Sequence, residues 1–163
     1  MQINSFCEVN YQNDCLFSQE QVEFFSNKFA EYVLSNGLAN DFSTERDYDI
    51  EIMICGNDFI HNINRDYRDK DCPTDVITFA LYYDSEDKIV IDNKVSLGQI
   101  LISYDKVISQ ANENNVTCKY EFLNLLAHGI LHLFGFDHLD EDSLEYMLGL
   151  QEKMIASVEN VKV

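Results

Sequence analysis

Proline occurs once in the 163-residue chain, and no stretch is rich in glycine and serine, so nothing marks a linker between domains. Internal repeats and low-complexity segments are also lacking. No run approaches the ~18 consecutive apolar residues of a membrane span. The opening residues Met1-Gln2-Ile3-Asn4-Ser5-Phe6 lack the basic start and long apolar stretch of a signal peptide. The expectation is a cytoplasmic protein with no membrane partner. The five cysteines (Cys7, Cys15, Cys55, Cys72 and Cys118) are odd in number and scattered, and none forms C-x-x-C. They argue against a disulfide framework and read as reduced thiols acting as small buried hydrophobes. Bases are scarce, 11 against 29 acids, for a formal net charge of −18. Such a field repels polyanions, and broad nonspecific affinity for nucleic acid draws on Lys and Arg. Any contact with RNA must use a local basic patch.

What is present is a globular composition, 46% hydrophobic and 12% aromatic. The length suits one domain, 1–163, with a substantial core. Gln2 to Val9 alternates Ile3, Ser5, Cys7 and Val9 against Asn4, Phe6 and Glu8, as a strand does. Ser18-Gln19-Glu20-Gln21 has the form of a capping box, and Val22, Phe25, Phe29 and Val33 follow at helical spacing. Tyr48 to Cys55 reads as a strand closed by Gly56, after which Asn57 caps a short helix. Asp75 to Tyr83 and Val95 to Ser103 read as strands, and Lys88 to Asp92 as a hairpin arm or lid. Helices are expected from Ser103 or Asp105 to Asn114, from Thr117 to Phe134, and from Asp142 to Ala156. Strands gathered early and helices late predict an α+β fold, one sheet covered mainly by helices.

Three of the four histidines fall within eleven residues, His128 to His138. His128 and His132 are four apart, so on a helix they share one face about 6 Å apart along the axis. Gly135 can take the left-handed conformation that ends a helix and turns the chain back, returning His138 as a third ligand. Three neutral imidazoles with one open position are the catalytic form of a zinc site. Leu125, Leu126, Leu131 and Phe134 complete an apolar surface nearly all round this helix, which predicts that it is buried and central. The histidines and Gly135 match the metzincin spacing H-E-x-x-H-x-x-G-x-x-H, but Gly129 stands where that pattern has its glutamate base. The metal survives this departure, whereas peptide hydrolysis loses its general base.

Arg65, Arg68 and Lys70 concentrate three bases within six residues, interleaved with Asp66, Asp69 and Asp71. Arg68 can hold a phosphate with two prongs and stabilise charge in a transition state, or the run can be a solvated loop. Asp137 either orients a ligand imidazole or serves as a turn residue. His61 reads as a surface or capping residue. Met147 and Met154 are expected to pack beneath the site.

The segment from His128 to His138 resembles the signature of the YbeY family, H-G-x-L-H-L-x-G-[YF]-D-H. Asn64 to Val76 is similar to that family's N-x-x-Y-R-x-K-D-x-P-T-D-V block, and Leu97 to Ser103 to its L-G-D-I-x-I-S strand. Departures are Gln99 for Asp, Phe136 for the commoner Tyr, and Ile77-Thr78-Phe79-Ala80 for L-S-F-P. The resemblance implies a zincin-like α+β domain with one mixed sheet of about four strands and the metal site on its central buried helix. It implies one zinc ion per chain on His128, His132 and His138 and a functional role for Arg68; with the basic run, the expected catalytic residues are Arg68 and His128 and the expected substrate contacts Arg68 and Lys70. The implied activity is a single-strand-specific endoribonuclease of small-subunit ribosomal RNA 3′-end maturation and ribosome biogenesis. Ribosomal RNA is then the substrate, with ribosomal proteins or assembly factors as further partners. The competing readings are a peptidase or amidase on a related scaffold and a non-catalytic, metal-stabilised assembly factor.

Overall fold

A computed structural model describes residues 1–160. The chain runs β1 (Ile3–Asn10), α1 (Gln19–Ser35), β2 (Asp47–Cys55), α2 (Asn57–Arg68), β3 (Val76–Phe79), α3 (Leu81–Asp84), β4 (Lys94–Ser103), α4 (Tyr104–Asn114), α5 (Cys118–Leu133) and α6 (Glu141–Val158). The strands form one mixed sheet in the order β1-β2-β4-β3. β1, β2 and β4 are parallel, and β3 runs antiparallel to β4 at the edge. The α+β class and the sheet of four strands are therefore as expected.

The period of two divides the core. Ile50, Ile52 and Ile54 of β2, with Ile100 and Ile102 of β4, pack with Phe25, Phe29 and Val33 of α1 and the apolar residues of α5. On the other face Cys55 and Leu101 pack with Ile60 and Ile63 of α2. α5 touches β3, β4, α1, α4 and α6, so it lies at the centre of the domain. Most of its length is buried, as predicted, and His128, His132 and Asn124 are among the residues that reach an opening. The Ser18–Gln21 capping box forms, and Thr117 caps α5 through the Tyr120 amide.

Three local expectations need correction. The run Asp75 to Tyr83 is not one strand. β3 pairs with β4 only from Val76 to Phe79, opposite Gln99 to Ile102. It ends beside Gly98, where a Cβ would lie 1.9 Å from the Phe79 carbonyl oxygen. The chain then coils into α3, closed by the Asp84 amide donating to the Ala80 carbonyl at 2.9 Å. Asn57 does not cap α2. The cap residue is Gly56, and the Asp105 carboxylate accepts the Asn57 amide at 2.8 Å, a contact across 48 positions. The hairpin arm expected over Lys88–Asp92 shrinks to one paired residue, Ile91. Its end is a tight turn in which Asp92 and Asn93 take left-handed conformations (φ 51° and 62°) between the bridged Ile91 and Lys94. Among the cysteines, Cys55 is a buried hydrophobe, but Cys72 is exposed on the loop after α2.

Candidate metal centre

His128 and His132 stand one turn apart on the open face of α5, with their Nε2 atoms 2.9 Å apart. The helix ends as the glycine requires. Gly135 has φ +92°, its amide donates to the His132 carbonyl, and the Phe136 amide donates to the Leu131 carbonyl. The Tyr83 ring lies so close over Gly135 that a Cβ would come within 2.3 Å of it. This reversal brings His138 back, its ring centroid 5.5 Å from that of His128 and 5.6 Å from that of His132. One ligand atom from each histidine falls within 4.8 Å of the others. Ligands around one tetrahedral zinc, at about 2.0–2.1 Å each, lie about 3.3 Å apart. The donor set fits such an ion after small rotations of the rings.

The protonation state suits a metal as well. The buried Gln151 side chain donates through Nε2 to Asn124 Oδ1 at 2.8 Å, so its Oε1 must accept. That oxygen lies 2.9 Å from His128 Nδ1, which therefore carries the proton and leaves Nε2 as a lone pair facing the cluster, toward His132 Nε2. Burial lowers the pKa of His128. Burial first, and the neighbouring His128 second, push His132 down to about 4. Both rings are neutral at pH 7. Gln151 was not anticipated. Its only signal is a polar residue interrupting the buried stripe Met147, Leu150, Met154, Ile155 of α6. Met147 and Met154 are buried in the core cluster.

The histidines open into a cleft of about 610 Å³ that Arg68 and Lys70 also line. Arg68 is the last residue of α2 and is exposed. Asp69 then takes the left-handed conformation, and the Lys70 amide returns to the Asn64 carbonyl at 3.1 Å. The Asn64 side chain fastens the loop further by donating to the Cys72 carbonyl at 2.9 Å. Arg65 does not join them: it pairs with its neighbour Asp66 at 3.0 Å and is absent from the lining. His61 lies apart from the cluster and meets Asp71 at 2.7 Å. Asp137 uses its carboxylate to accept the His138 backbone amide at 2.8 Å, the geometry of a turn residue. The His128 imidazole has Gln151 as its partner. A larger hollow of about 730 Å³ lies on the other face of the sheet, lined mainly by apolar residues such as Phe6, Phe59 and Tyr67. It gathers no cluster of ligating groups, so the histidine cleft is the chemically competent one.

Gly129 faces the sheet. A Cβ there would lie 2.8 Å from Ile100 Cγ2, inside the core. The position has neither the room nor the direction for a glutamate base, so the departure from the metzincin pattern is built into the packing of α5 on β4.

Comparison with known proteins agrees with these observations. The family Endoribonuclease YbeY matches the chain over residues 11–159. The endoribonuclease YbeY of Fusobacterium nucleatum is 41% identical over 114 residues, covering 70% of this chain and 69% of that one. That of Syntrophomonas wolfei is 31% identical over 153 residues, covering 92% and 94%. A protein of Thermotoga maritima solved in solution aligns over 96% of this chain and 100% of its own with a TM-score of 0.55 at 21% identity, a likeness of fold. A central helix presenting an imidazole cluster beside a mixed sheet defines the class of a candidate metal-dependent hydrolase. Within it, the chain belongs to the YbeY family of endoribonucleases.

Proposed function

We propose that the chain is a zinc-dependent, single-strand-specific endoribonuclease acting in the cytoplasm on the 3′ end of small-subunit ribosomal RNA, as one hydrolase domain with one zinc per chain. The observation that carries this reading is the cleft itself, which three converging imidazoles share with Arg68 and Lys70. His128, His132 and His138 would hold the ion. Zinc bound there supplies Lewis acidity, lowering the pKa of a water to about 7 and polarising a phosphate. Arg68 donates two hydrogen bonds to nonbridging oxygens of the scissile phosphate and stabilises the charge that builds on them. Lys70 holds a neighbouring phosphate. His128 has a fixed tautomer and serves catalysis by presenting its lone pair without rearrangement. The reaction adds water across one P–O bond, so one product ends in phosphate and the other in hydroxyl.

A chain of net charge −18 gains little from long-range attraction to RNA. Ribosomal proteins or assembly factors would bring it to its substrate. The peptidase alternative is disfavoured by Gly129, which is walled in by Ile100. The test is a pair of assays on zinc-loaded protein, one with single-stranded RNA and one with peptide, each repeated with a chelator. RNA cleavage that the chelator abolishes supports the reading. Peptide cleavage, or RNA cleavage indifferent to the chelator, overturns it.

A further inference from the structure

Tyr83, Gly135 and Phe136 wall the histidine cleft, and the same three residues wall a second, shallower cavity of about 230 Å³. The two hollows share this aromatic ridge. Phe136 is braced by Tyr146, whose ring stacks on it at 6.3 Å with an interplanar angle of 28°. Beneath, the Phe134 ring meets Phe42 edge-on at 5.0 Å, so the floor is firm. The remaining wall is the segment after α1, where Ala39 and Phe42 are buried and Asn40 and Asp41 are exposed.

Charge decides what this cavity can take. The larger cleft sets the cations Arg68 and Lys70 among the carboxylates Asp75, Asp84 and Asp137, whereas the smaller cavity has no Lys or Arg to offset its one carboxylate, Asp41. A phosphate is repelled there, and a neutral planar group with donor hydrogens on its edge is attracted. The volume equals roughly eight waters at about 30 Å³ each, enough for one base and too little for a whole nucleotide. We propose that this cavity is a nucleobase subsite. It takes a base beside the scissile phosphate, stacked on the Tyr83–Phe136 ridge, with Asp41 accepting hydrogen bonds from its amino edge. The inference rests on the endoribonuclease reading above and specifies its substrate. Stacking tolerates any base, because every base has a π face. The carboxylate does not: cytosine and adenine offer an exocyclic amine, whereas uracil offers two carbonyls around a single N–H. Only an unpaired base can enter, which ties the subsite to single strands.

The test uses fluorescein-labelled 2′-O-methyl RNA hexamers of cytidine, adenosine or uridine, titrated with zinc-loaded protein and followed by anisotropy. The parent is expected to bind the cytidine and adenosine hexamers about tenfold more tightly than the uridine hexamer. Asp41→Asn, an exposed change, should narrow that gap to about twofold, and Phe136→Leu should weaken all three by about fivefold while preserving their order. Equal affinity of the parent for all three, or a preference unchanged in Asp41→Asn, overturns the subsite. If Phe136→Leu does not fold, the Asp41 comparison decides alone. A parent that binds none of the hexamers contradicts the RNA reading itself, a result distinct from binding without preference.

Discussion

Gln151 sets the tautomer of His128 from 23 positions away, and replacing it separates metal binding from folding. Gln151→Leu removes the acceptor for Nδ1–H, and zinc affinity should fall by about 10–100-fold in competition with a chromogenic chelator. Gln151→Glu keeps an acceptor, and the Asn124 amide can turn to donate, so that variant should bind zinc nearly as the parent does. Equal affinities in all three would remove Gln151 from the site. In the same cleft, Arg68 should affect chemistry and leave the metal alone. Arg68→Ala should keep its zinc while single-turnover RNA cleavage drops at least ~10²-fold, the loss expected from one preorganised charge stabiliser. Arg68→Lys should rescue poorly, because an ammonium lacks the planar two-pronged geometry. Lys70→Ala should cost only a modest, salt-dependent loss of binding. A solvated loop would make all three changes nearly silent.

At the scale of the element, the turn after α5 carries the third histidine, and its shape depends on Gly135. Gly135→Ala combines a left-handed φ of +92° with a collision against the Tyr83 ring. The backbone strain alone should cost about 1–3 kcal/mol, read as a lower midpoint in thermal unfolding. In a Tyr83→Ala background the collision is gone, so the two changes should be less than additive. Full additivity would mean that ring and turn are independent. The same element shows what sequence can and cannot reveal. The histidine spacing, the glycine and the apolar girdle of α5 are local and periodic, so the helix, its end and its burial were legible. The Ser18 cap was legible for the same reason. The end of β3 was not, because Ala80-Leu81-Tyr82-Tyr83 reads as a continuing apolar strand. What stops it is Gly98 on the neighbouring strand, whose bare Cα sits against the Phe79 carbonyl. The cap of α2 by Asp105 and the Gln151–His128 contact are likewise long-range, and no local pattern announces either.

For the whole molecule, the half-buried His128 and His132 couple stability to pH. Their pKa values are depressed in the folded chain, His132 to about 4, against an ordinary value of about 6.5. Between those limits the unfolded chain binds more protons than the folded one, so stability falls as pH drops through that window and is fully present above it. Urea titrations of metal-free protein should show this loss between about pH 6.5 and pH 4, and His132→Gln should reduce its slope. An unchanged slope would mean that the ring is not buried in its neutral form. Zinc moves the same balance. An ion that binds only the folded chain raises its stability, and acid releases the ion as the imidazoles take up protons. Because burial already resists protonation of His132, that ligand should hold its metal to more acidic pH than an exposed histidine.

The most direct test of the account is the zinc content of purified parent and His132→Ala proteins by elemental analysis, with folding checked by circular dichroism. The account expects one zinc per parent chain and loss of most of it from a folded His132→Ala chain, because one helix and one turn must supply all three imidazoles. Equal zinc in the two proteins would contradict it.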